Sequence, residues 1–133
     1  MFLGTYSPNL IGKGRIALPK KIRQELESQR MVLTIGFDEC IFGFKEKDWE
    51  EVIKPELSRP LFSDREGRRL RRKMCADALV VNLDSQGRFI LPIEMMNYAQ
   101  IKKSLTLVGA GDHFEIWDSQ KWQEYAKKIK NKI

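Results

Sequence analysis

Two short runs that contain hydrophobic residues, separated by a tight polar turn with glycine, open each half of this chain. Short runs of this kind on either side of turn residues are typical of paired strands. The connecting segments read Gly-Lys-Gly and Asp-Ser-Gln-Gly, and they favour β-hairpins because glycine adopts positive φ at little cost. The predicted strands are residues 6–10, 15–18, 79–83 and 88–91.

A proline follows each predicted hairpin, and the spacing of apolar residues then changes to that of a helix. Pro19 and Pro92 suit the first turn of a helix, where an amide hydrogen would have no partner within the helix. Ile22 and Leu26 are four residues apart and would face inward, whereas the charged residues around them would face water. The sequence therefore predicts a short amphipathic helix after each hairpin.

Each half then ends in a second hairpin and a helix that carries a tryptophan. The second hairpins turn at Gly36 and Gly109. Asp48 and the pair Asp118-Ser119 are candidate N-caps for the helices that follow, because their side-chain oxygens can accept amide hydrogens. The predicted strands of the second hairpins are residues 31–35, 40–44, 105–108 and 113–117.

The last helix has one apolar stripe, which is made of Trp122, Tyr125, Ala126 and Ile129. Aromatic residues at helical spacing are typical of packing against a sheet, so we expect this stripe to belong to the core. A surface on which nucleic-acid bases stack is the alternative function of the same stripe.

The two halves are copies of one sequence unit. Residues 9–19 and 82–92 are identical at six of eleven positions, at an offset of 73 residues. Such a duplication predicts a pseudo-twofold domain with one shared core, because neither half has enough apolar residues to be stable alone. The same offset, without any gap, pairs Met1 with Met74, Gly36 with Gly109, Trp49 with Trp122 and Glu51 with Glu124.

We divide the chain into a first repeat at residues 1–54, a linker with a basic helix at 55–73, and a second repeat at 74–133. The linker begins with two prolines, Pro55 and Pro60, which favour irregular structure. Six of the nine residues from 65 to 73 are basic. This pattern is compatible both with a solvated connecting helix and with a helix that contacts phosphate groups.

Composition narrows the possible functions. The chain has 133 residues and a formal net charge of +6, which is compatible with a polyanionic partner without requiring one. Cys40 and Cys75 have no C-x-x-C spacing, so neither a zinc knuckle nor a thioredoxin motif is present, and two free thiols, each buried or half-buried, are expected. No apolar run reaches the length of a transmembrane helix, and the first residues do not form a signal peptide. We therefore expect a cytoplasmic protein without a metal site.

The repeated segment resembles the signature of the MraZ family. In each copy a strand, a Gly-Arg turn and a hydrophobic stretch that ends in proline precede a tryptophan helix. The Phe2-x-Gly4 start, the basic helix between the copies and the segments Val108-Gly109 and Glu115-Ile116-Trp117 are also similar to that family. The resemblance covers essentially the whole chain, and it is specific because both copies occur at the right separation.

The resemblance implies a β-rich α+β fold, in which two tandem AbrB-like swapped-hairpin half-units with flanking helices form one pseudo-twofold domain. It implies a transcription regulator that represses the division and cell-wall gene cluster beginning with its own gene. The implied partners are double-stranded DNA, bound at short direct repeats in the promoter, and further copies of the chain in a ring-shaped homo-oligomer. The implied location is cytoplasmic and nucleoid-associated, with no membrane partner and no cofactor.

The family's marker is an Asp-x-x-x-Arg motif in each copy. The second copy matches it with Asp84 and Arg88, whereas the first keeps Arg15 but has Ile11 at the aspartate position and Gly12 at the following serine position. The departure puts in doubt any role that needs a carboxylate in both copies, but it leaves both arginines as candidates for DNA contact.

The two turns carry the candidate DNA-binding residues. A planar guanidinium can bridge two phosphate oxygens or donate to guanine O6 and N7, which suits Arg15 and Arg88 to both roles. Lys13 adds a positive charge to the first turn, and Gln86 places a neutral hydrogen-bonding group in the second. We also expect the backbone amides around two glycines to be open to phosphate, because no side chain blocks them. These glycines are Gly14 and Gly87.

Asp84 is expected to orient the second turn rather than to touch phosphate. Its carboxylate can accept turn amides or hold Arg88, so Arg15, which lacks such a restraint, should contribute less specificity. The alternative for both arginines is a structural one, in which they only brace the hairpins by pairing with carboxylates or carbonyl oxygens.

Three other functions remain open at this point. Catalysis is disfavoured because the single histidine, His113, lies on a predicted strand and because no nucleophile-elbow, zinc-protease or P-loop motif is present. A ring-forming scaffold protein without nucleic-acid binding would explain the duplication and the charge equally well. An AbrB-type antitoxin usually has one copy and a polar toxin-binding tail, whereas residues 127–133 are predicted to end a packed helix.

Overall fold

Strands and helices follow one another in two similar series in the computed structural model, which describes residues 1–132. Ile133, the last residue assigned to the second repeat, lies outside the described residues. The first series is β1 (Thr5–Tyr6), β2 (Leu10–Ile11), β3 (Arg15–Ala17), α1 (Lys20–Leu26), β4 (Arg30–Ile35), β5 (Ile41–Phe44) and α2 (Glu46–Leu57). The second is α3 (Arg65–Ala76), β6 (Leu79–Asn82), β7 (Arg88–Ile90), α4 (Ile93–Tyr98), β8 (Leu105–Gly109), β9 (Phe114–Asp118) and α5 (Ser119–Lys132).

Both sheets of the described residues are built from strands of both repeats. The larger sheet has six strands in the order β1-β8-β9-β5-β4-β6, and the smaller has three in the order β2-β3-β7. Every strand pair is antiparallel. The β-rich α+β fold with two exchanged half-units is therefore confirmed.

The strand register places a pseudo-twofold axis through both sheets. In the small sheet Ile16 lies opposite Phe89, and in the large sheet Phe42 lies opposite Glu115. In both pairs the partners are 73 residues apart, so each residue faces its own counterpart. An antiparallel pair that joins a residue to its copy is symmetric about that point, and the duplication seen in the sequence is thus also the symmetry of the fold.

The first predicted strand differs from the structure in both repeats: residues 6–10 are divided between β1 and β2, and β6 pairs with a strand other than the one predicted. Thr5 and Tyr6 pair with β8 of the second repeat, and β6 pairs with β4 of the first. Pro8 separates β1 from β2, because proline has no amide hydrogen for a sheet. The prediction of one strand at residues 6–10 is therefore wrong, although its hairpin with residues 15–18 forms as β2–β3, in which Leu10 lies opposite Ile16. The hairpin predicted between residues 79–83 and 88–91 does not form, because β6 and β7 both pair with strands of the first repeat. The apolar pattern of a strand does not show which strand it pairs with.

The other predicted elements agree with the structure to within a few residues. Helix α1 buries Ile22 and Leu26, and the second hairpins form as β4–β5 and β8–β9. The apolar stripe of α5 is half-buried, with Trp122 and Tyr125 packed against Trp117 of the adjacent strand. The predicted role of this stripe in packing is confirmed.

The ends of the helices correct two expectations. Asp48 does not cap α2, since the N-cap is Lys45 and makes no side-chain hydrogen bond; Asp48 lies inside the first turn, where a negative charge favours the helix dipole. Asp118 does cap α5, because its Oδ2 accepts the amide of Lys121 at 3.2 Å. Helix α2 continues through Pro55 to Leu57, into the segment assigned to the linker, since a proline near a helix end removes only one hydrogen bond.

One hydrophobic core joins the repeats. Ile16, Ile22 and Leu33 of the first repeat pack in the same buried cluster as Phe89 and Met95 of the second. The packing matches the expectation that neither half is stable alone. Both thiols are free and Cys40 is buried, as expected, but the expectation that Cys75 is buried or half-buried is wrong, because this residue is exposed at the end of α3. None of the helices within residues 1–132 has the length and apolar character to cross a membrane.

Each turn is attached to the opposite repeat by one backbone hydrogen bond, and the two bonds are reciprocal. The Leu18 amide donates to the Gly87 carbonyl oxygen at 3.0 Å, and the Leu91 amide donates to the Gly14 carbonyl oxygen at 2.8 Å. These contacts are equivalent under the offset of 73. They hold β3 and β7 side by side and thereby fix where the two turns lie relative to each other.

We predict that Gly14→Ala destabilises the protein more than Gly12→Ala. Both glycines have positive φ, but Gly14 at +106° lies outside the region open to alanine, and a Cβ there would lie 2.9 Å from the Leu91 carbonyl oxygen. Gly12 at +59° faces open space. We expect a loss of roughly 2–3 kcal/mol of unfolding free energy for Gly14→Ala and about 1 kcal/mol for Gly12→Ala, measured by urea denaturation. Equal losses would contradict this account of the turn.

Candidate nucleic-acid interface

The outer face of the small sheet carries both candidate arginines. Residues alternate between the two faces of a strand, and Ile16 and Phe89 point into the core. Their neighbours therefore point outward: Arg15 and Ala17 from β3, and Arg88 and Ile90 from β7. Arg15 is exposed and Arg88 is half-exposed. The exchange of strands thus brings one arginine from each repeat onto a single surface.

The two arginines have different neighbours across the sheet. Arg15 lies opposite Ile11 of β2 on one side and opposite Ile90 of β7 on the other. Arg88 lies opposite Ala17 and beside Asp84, the counterpart of Ile11. Arg15 makes no ion pair or side-chain hydrogen bond with another described residue. One guanidinium is therefore free between two aliphatic side chains, and the other is held by a carboxylate.

Asp84 organises the second turn through both of its oxygens. Its Oδ1 accepts the backbone amides of Gln86 and Arg88, each at 2.9 Å, and its Oδ2 accepts Arg88 Nε at 2.7 Å. These hydrogen bonds, above all that from the Arg88 amide, lower the pKa of the Asp84 carboxyl from 3.8 to about 2. The carboxylate leaves the outer Nη groups of Arg88 able to donate elsewhere.

The turns present side chains rather than open backbone. Lys13 and Gln86 are exposed at equivalent places. Gly14 and Gly87 are buried, and the Gly87 amide donates to the Asp84 carbonyl oxygen at 3.0 Å. The expectation that backbone amides at these two glycines are open to phosphate is therefore wrong. Glycine is needed here for positive φ and for close approach of the opposite repeat.

Two basic residues near the second turn were not singled out from the sequence. Arg23 of α1 lies over Gly87 and donates from Nη2 to the Ser85 carbonyl oxygen at 3.3 Å. Lys20 lines the same cleft. A comparison of the two repeats at the offset of 73 would have identified both residues, because they are basic in α1 whereas their equivalents in α4 are uncharged. These equivalents are Ile93 and Met96.

The basic helix α3 has a structural role in at least two of its arginines. Arg71 Nη2 lies within 3.4 Å of the carbonyl oxygens of Glu56, Leu57 and Arg59, at the end of α2. Arg68 Nη1 donates to the carbonyl oxygens of residues 61 and 62 in the loop. The helix therefore braces the connection between the repeats, in addition to presenting exposed charges to water.

Comparison with known proteins gives consistent matches along the chain. The chain matches the model of the MraZ protein, an antitoxin-like family, in two segments, residues 1–73 and 74–133. A transcriptional regulator MraZ of Roseiflexus castenholzii (strain DSM 13941 / HLO8) is 38% identical over 123 residues, which cover 92% of this chain and 85% of that protein. A transcriptional regulator MraZ of Roseiflexus sp. (strain RS-1) is 37% identical over 123 residues, with the same coverage.

We predict that the charge of Asp84 survives to unusually low pH. Because its folded pKa of about 2 lies below the ordinary value of 3.8, its stabilising effect is complete above about pH 4 and is lost as the pH falls through 2. NMR titration of the side-chain carboxyl measures this directly. In Arg88→Ala we expect the pKa to rise only part of the way back, because the two amide donors remain. A pKa near 3.8 in the unmodified protein would contradict the hydrogen-bonded turn.

We predict that Arg71→Ala destabilises the protein by roughly 2 kcal/mol, because three carbonyl oxygens lose a charged donor. Arg72→Ala is the matched control, since Arg72 is an exposed neighbour on the same helix. We expect it to change the unfolding free energy by less than about 0.5 kcal/mol. Thermal and urea denaturation of both variants measure the difference. Equal stability of the two would show that Arg71 does not brace α2.

Proposed function

Because the chain belongs to the MraZ family, we propose that it is a sequence-specific DNA-binding transcription regulator. We propose further that it represses the division and cell-wall gene cluster that begins with its own gene, by binding short direct repeats in the promoter. Two relatives that match 92% of the chain are named transcriptional regulators. The observation that carries the proposal is the position of Arg15 and Arg88 on one exposed face of a sheet shared by both repeats.

The proposed interaction places this sheet face against the edges of the bases. A narrow β-sheet can enter the major groove, and arginine recognises guanine through O6 and N7. Lys13 and Gln86 extend from the two turns on either side, where they would contact phosphate or a further base. Arg88 is pre-oriented by Asp84 and pays less entropy on binding, so it contributes more to specificity than the unrestrained Arg15.

The net charge of +6 is modest for a DNA-binding protein, and a ring-shaped homo-oligomer would compensate for this. In a ring, several copies of the sheet face would meet successive direct repeats. Once one subunit is bound, the others bind at a high effective concentration, so weak single contacts combine into tight binding. Such a regulator would reside in the cytoplasm, associated with the nucleoid.

The surroundings of His113 and Cys40 argue against a catalytic function. His113 is held by Asp112 Oδ1 at 2.7 Å and Glu115 Oε2 at 2.8 Å, with its ring against Phe42 and Phe44. Both ring nitrogens are thus occupied by hydrogen bonds to carboxylates of neighbouring residues. Burial raises the pKa of the Cys40 thiol and keeps it from acting as a nucleophile at neutral pH. We propose that the protein is not an enzyme.

The proposal predicts that Arg15→Ala and Arg88→Ala both weaken binding to the DNA upstream of the chain's own gene, Arg88→Ala more strongly. We expect a loss of about tenfold or more for Arg88→Ala, since a bidentate contact to guanine is worth roughly 1–3 kcal/mol. Mobility shifts at two salt concentrations measure the affinity, which should fall steeply with salt. Lys127→Ala on α5 removes an exposed charge elsewhere and should bind like the unmodified protein.

Two results would count against the proposal. If both arginine variants remain folded and shift the probe like the unmodified protein, the sheet face is not the DNA-binding site. If the unmodified protein ignores its own promoter even at low salt, a ring-forming scaffold becomes the better explanation of the duplication. Native mass spectrometry of the same preparation gives the number of subunits and so tests the ring separately.

A further inference from the structure

We propose that Ile11 and Ile90 recognise the methyl group of thymine beside the base contacted by Arg15. The inference rests on the proposed DNA binding and assigns a sequence preference to the row of side chains around Arg15. It gives a role to Ile11, the residue that stands where the second repeat has Asp84.

The two isoleucines flank Arg15 in one row across the small sheet. Ile11 pairs with Arg15 from β2, and Ile90 pairs with it from β7. Side chains directly opposite each other on neighbouring strands lie about 5 Å apart, so the three form one continuous surface. The isoleucines are 58% and 61% exposed, although both are large and hydrophobic. Among the described residues nothing covers them.

The charge between the isoleucines favours DNA over a protein as the occupant. A protein surface that covered both isoleucines would also bury the guanidinium of Arg15, which has no carboxylate partner among the described residues. Burying an unpaired charge is costly. The major groove avoids this cost, because it offers guanine acceptors to the guanidinium and thymine methyl groups to the aliphatic side chains beside it.

The row of side chains across the sheet at Arg88 has no equivalent pair of large apolar residues. Around Arg88 the corresponding row holds Asp84, whose carboxylate is already bound to Arg88 Nε, and Ala17, whose side chain is a single methyl group. The two repeats therefore present different chemistry next to their arginines. Sensitivity to thymine therefore resides mainly in the row around Arg15, to which each repeat contributes one isoleucine, and the two arginines read bases with unlike neighbours.

The test compares promoter DNA made with thymine and the same DNA made with uracil, which lacks only the methyl group. For the unmodified protein we expect the uracil probe to bind about fourfold more weakly for each methyl group contacted. In Ile11→Ala and Ile90→Ala this ratio should fall toward one, because the apolar partner is gone. Ile93→Ala is the matched control, since Ile93 is also 61% exposed but lies on α4, and its ratio should stay unchanged.

The outcomes separate this inference from the proposed function. If the unmodified protein binds both probes tightly and equally, thymine recognition is refuted and the DNA-binding function stands. If it binds neither probe at low salt, the proposed function fails, and this inference fails with it. If Ile11→Ala and Ile90→Ala change the number of subunits in native mass spectrometry but keep the thymine-to-uracil ratio, a second copy of the chain covers these residues instead, and the inference is overturned.

Discussion

The reciprocal attachment of each turn to the opposite repeat is the constraint on which the candidate site depends. The Leu18 and Leu91 amides bind the carbonyl oxygens of Gly87 and Gly14, so β3 and β7 can lie only with Ile16 opposite Phe89. A shift by one residue would turn the buried residues outward and the arginines inward. The register of one short strand pair therefore decides both that the core is closed and that two guanidinium groups share a face.

The same attachment explains why the repeats depend on each other. In the shared large sheet β1 pairs with β8 of the second repeat and β6 pairs with β4 of the first, so separating the halves would expose strand edges on both sides. The small sheet would be divided into the two-stranded β2–β3 hairpin, which is barely stable alone in water, and the single strand β7. The position of each arginine is thus a property of the whole domain, and each repeat alone would present only a mobile turn.

Much of this fold can be predicted from the sequence, because both the duplication and the periodic spacing of apolar residues involve many positions of the chain. The offset of 73 predicted the symmetry, and the spacing of Ile22 and Leu26 predicted the buried side of α1. Strand exchange was expected only from the family resemblance, because the apolar pattern of a strand does not show which strand it pairs with. The burial of Gly14 and Gly87 was missed for a related reason: a turn composition predicts positive φ but contains no information about what packs against it. The two arginines of the candidate site could be predicted from the sequence. Their neighbours could not, because these depend on the register of the paired strands.

Because two copies are fused in one chain, equivalent positions of the two turns can carry different side chains, which is impossible in a symmetric dimer of single copies. In such a dimer both turns would be identical, and any substitution would appear twice. Here the equivalent positions differ: Ile11 against Asp84 beside the arginines, and Met96 against Arg23 over the turns. The backbone symmetry survives because these side chains lie outside the hydrogen bonds that set the register. A duplicated chain can therefore keep one scaffold while its two halves diverge in what they bind.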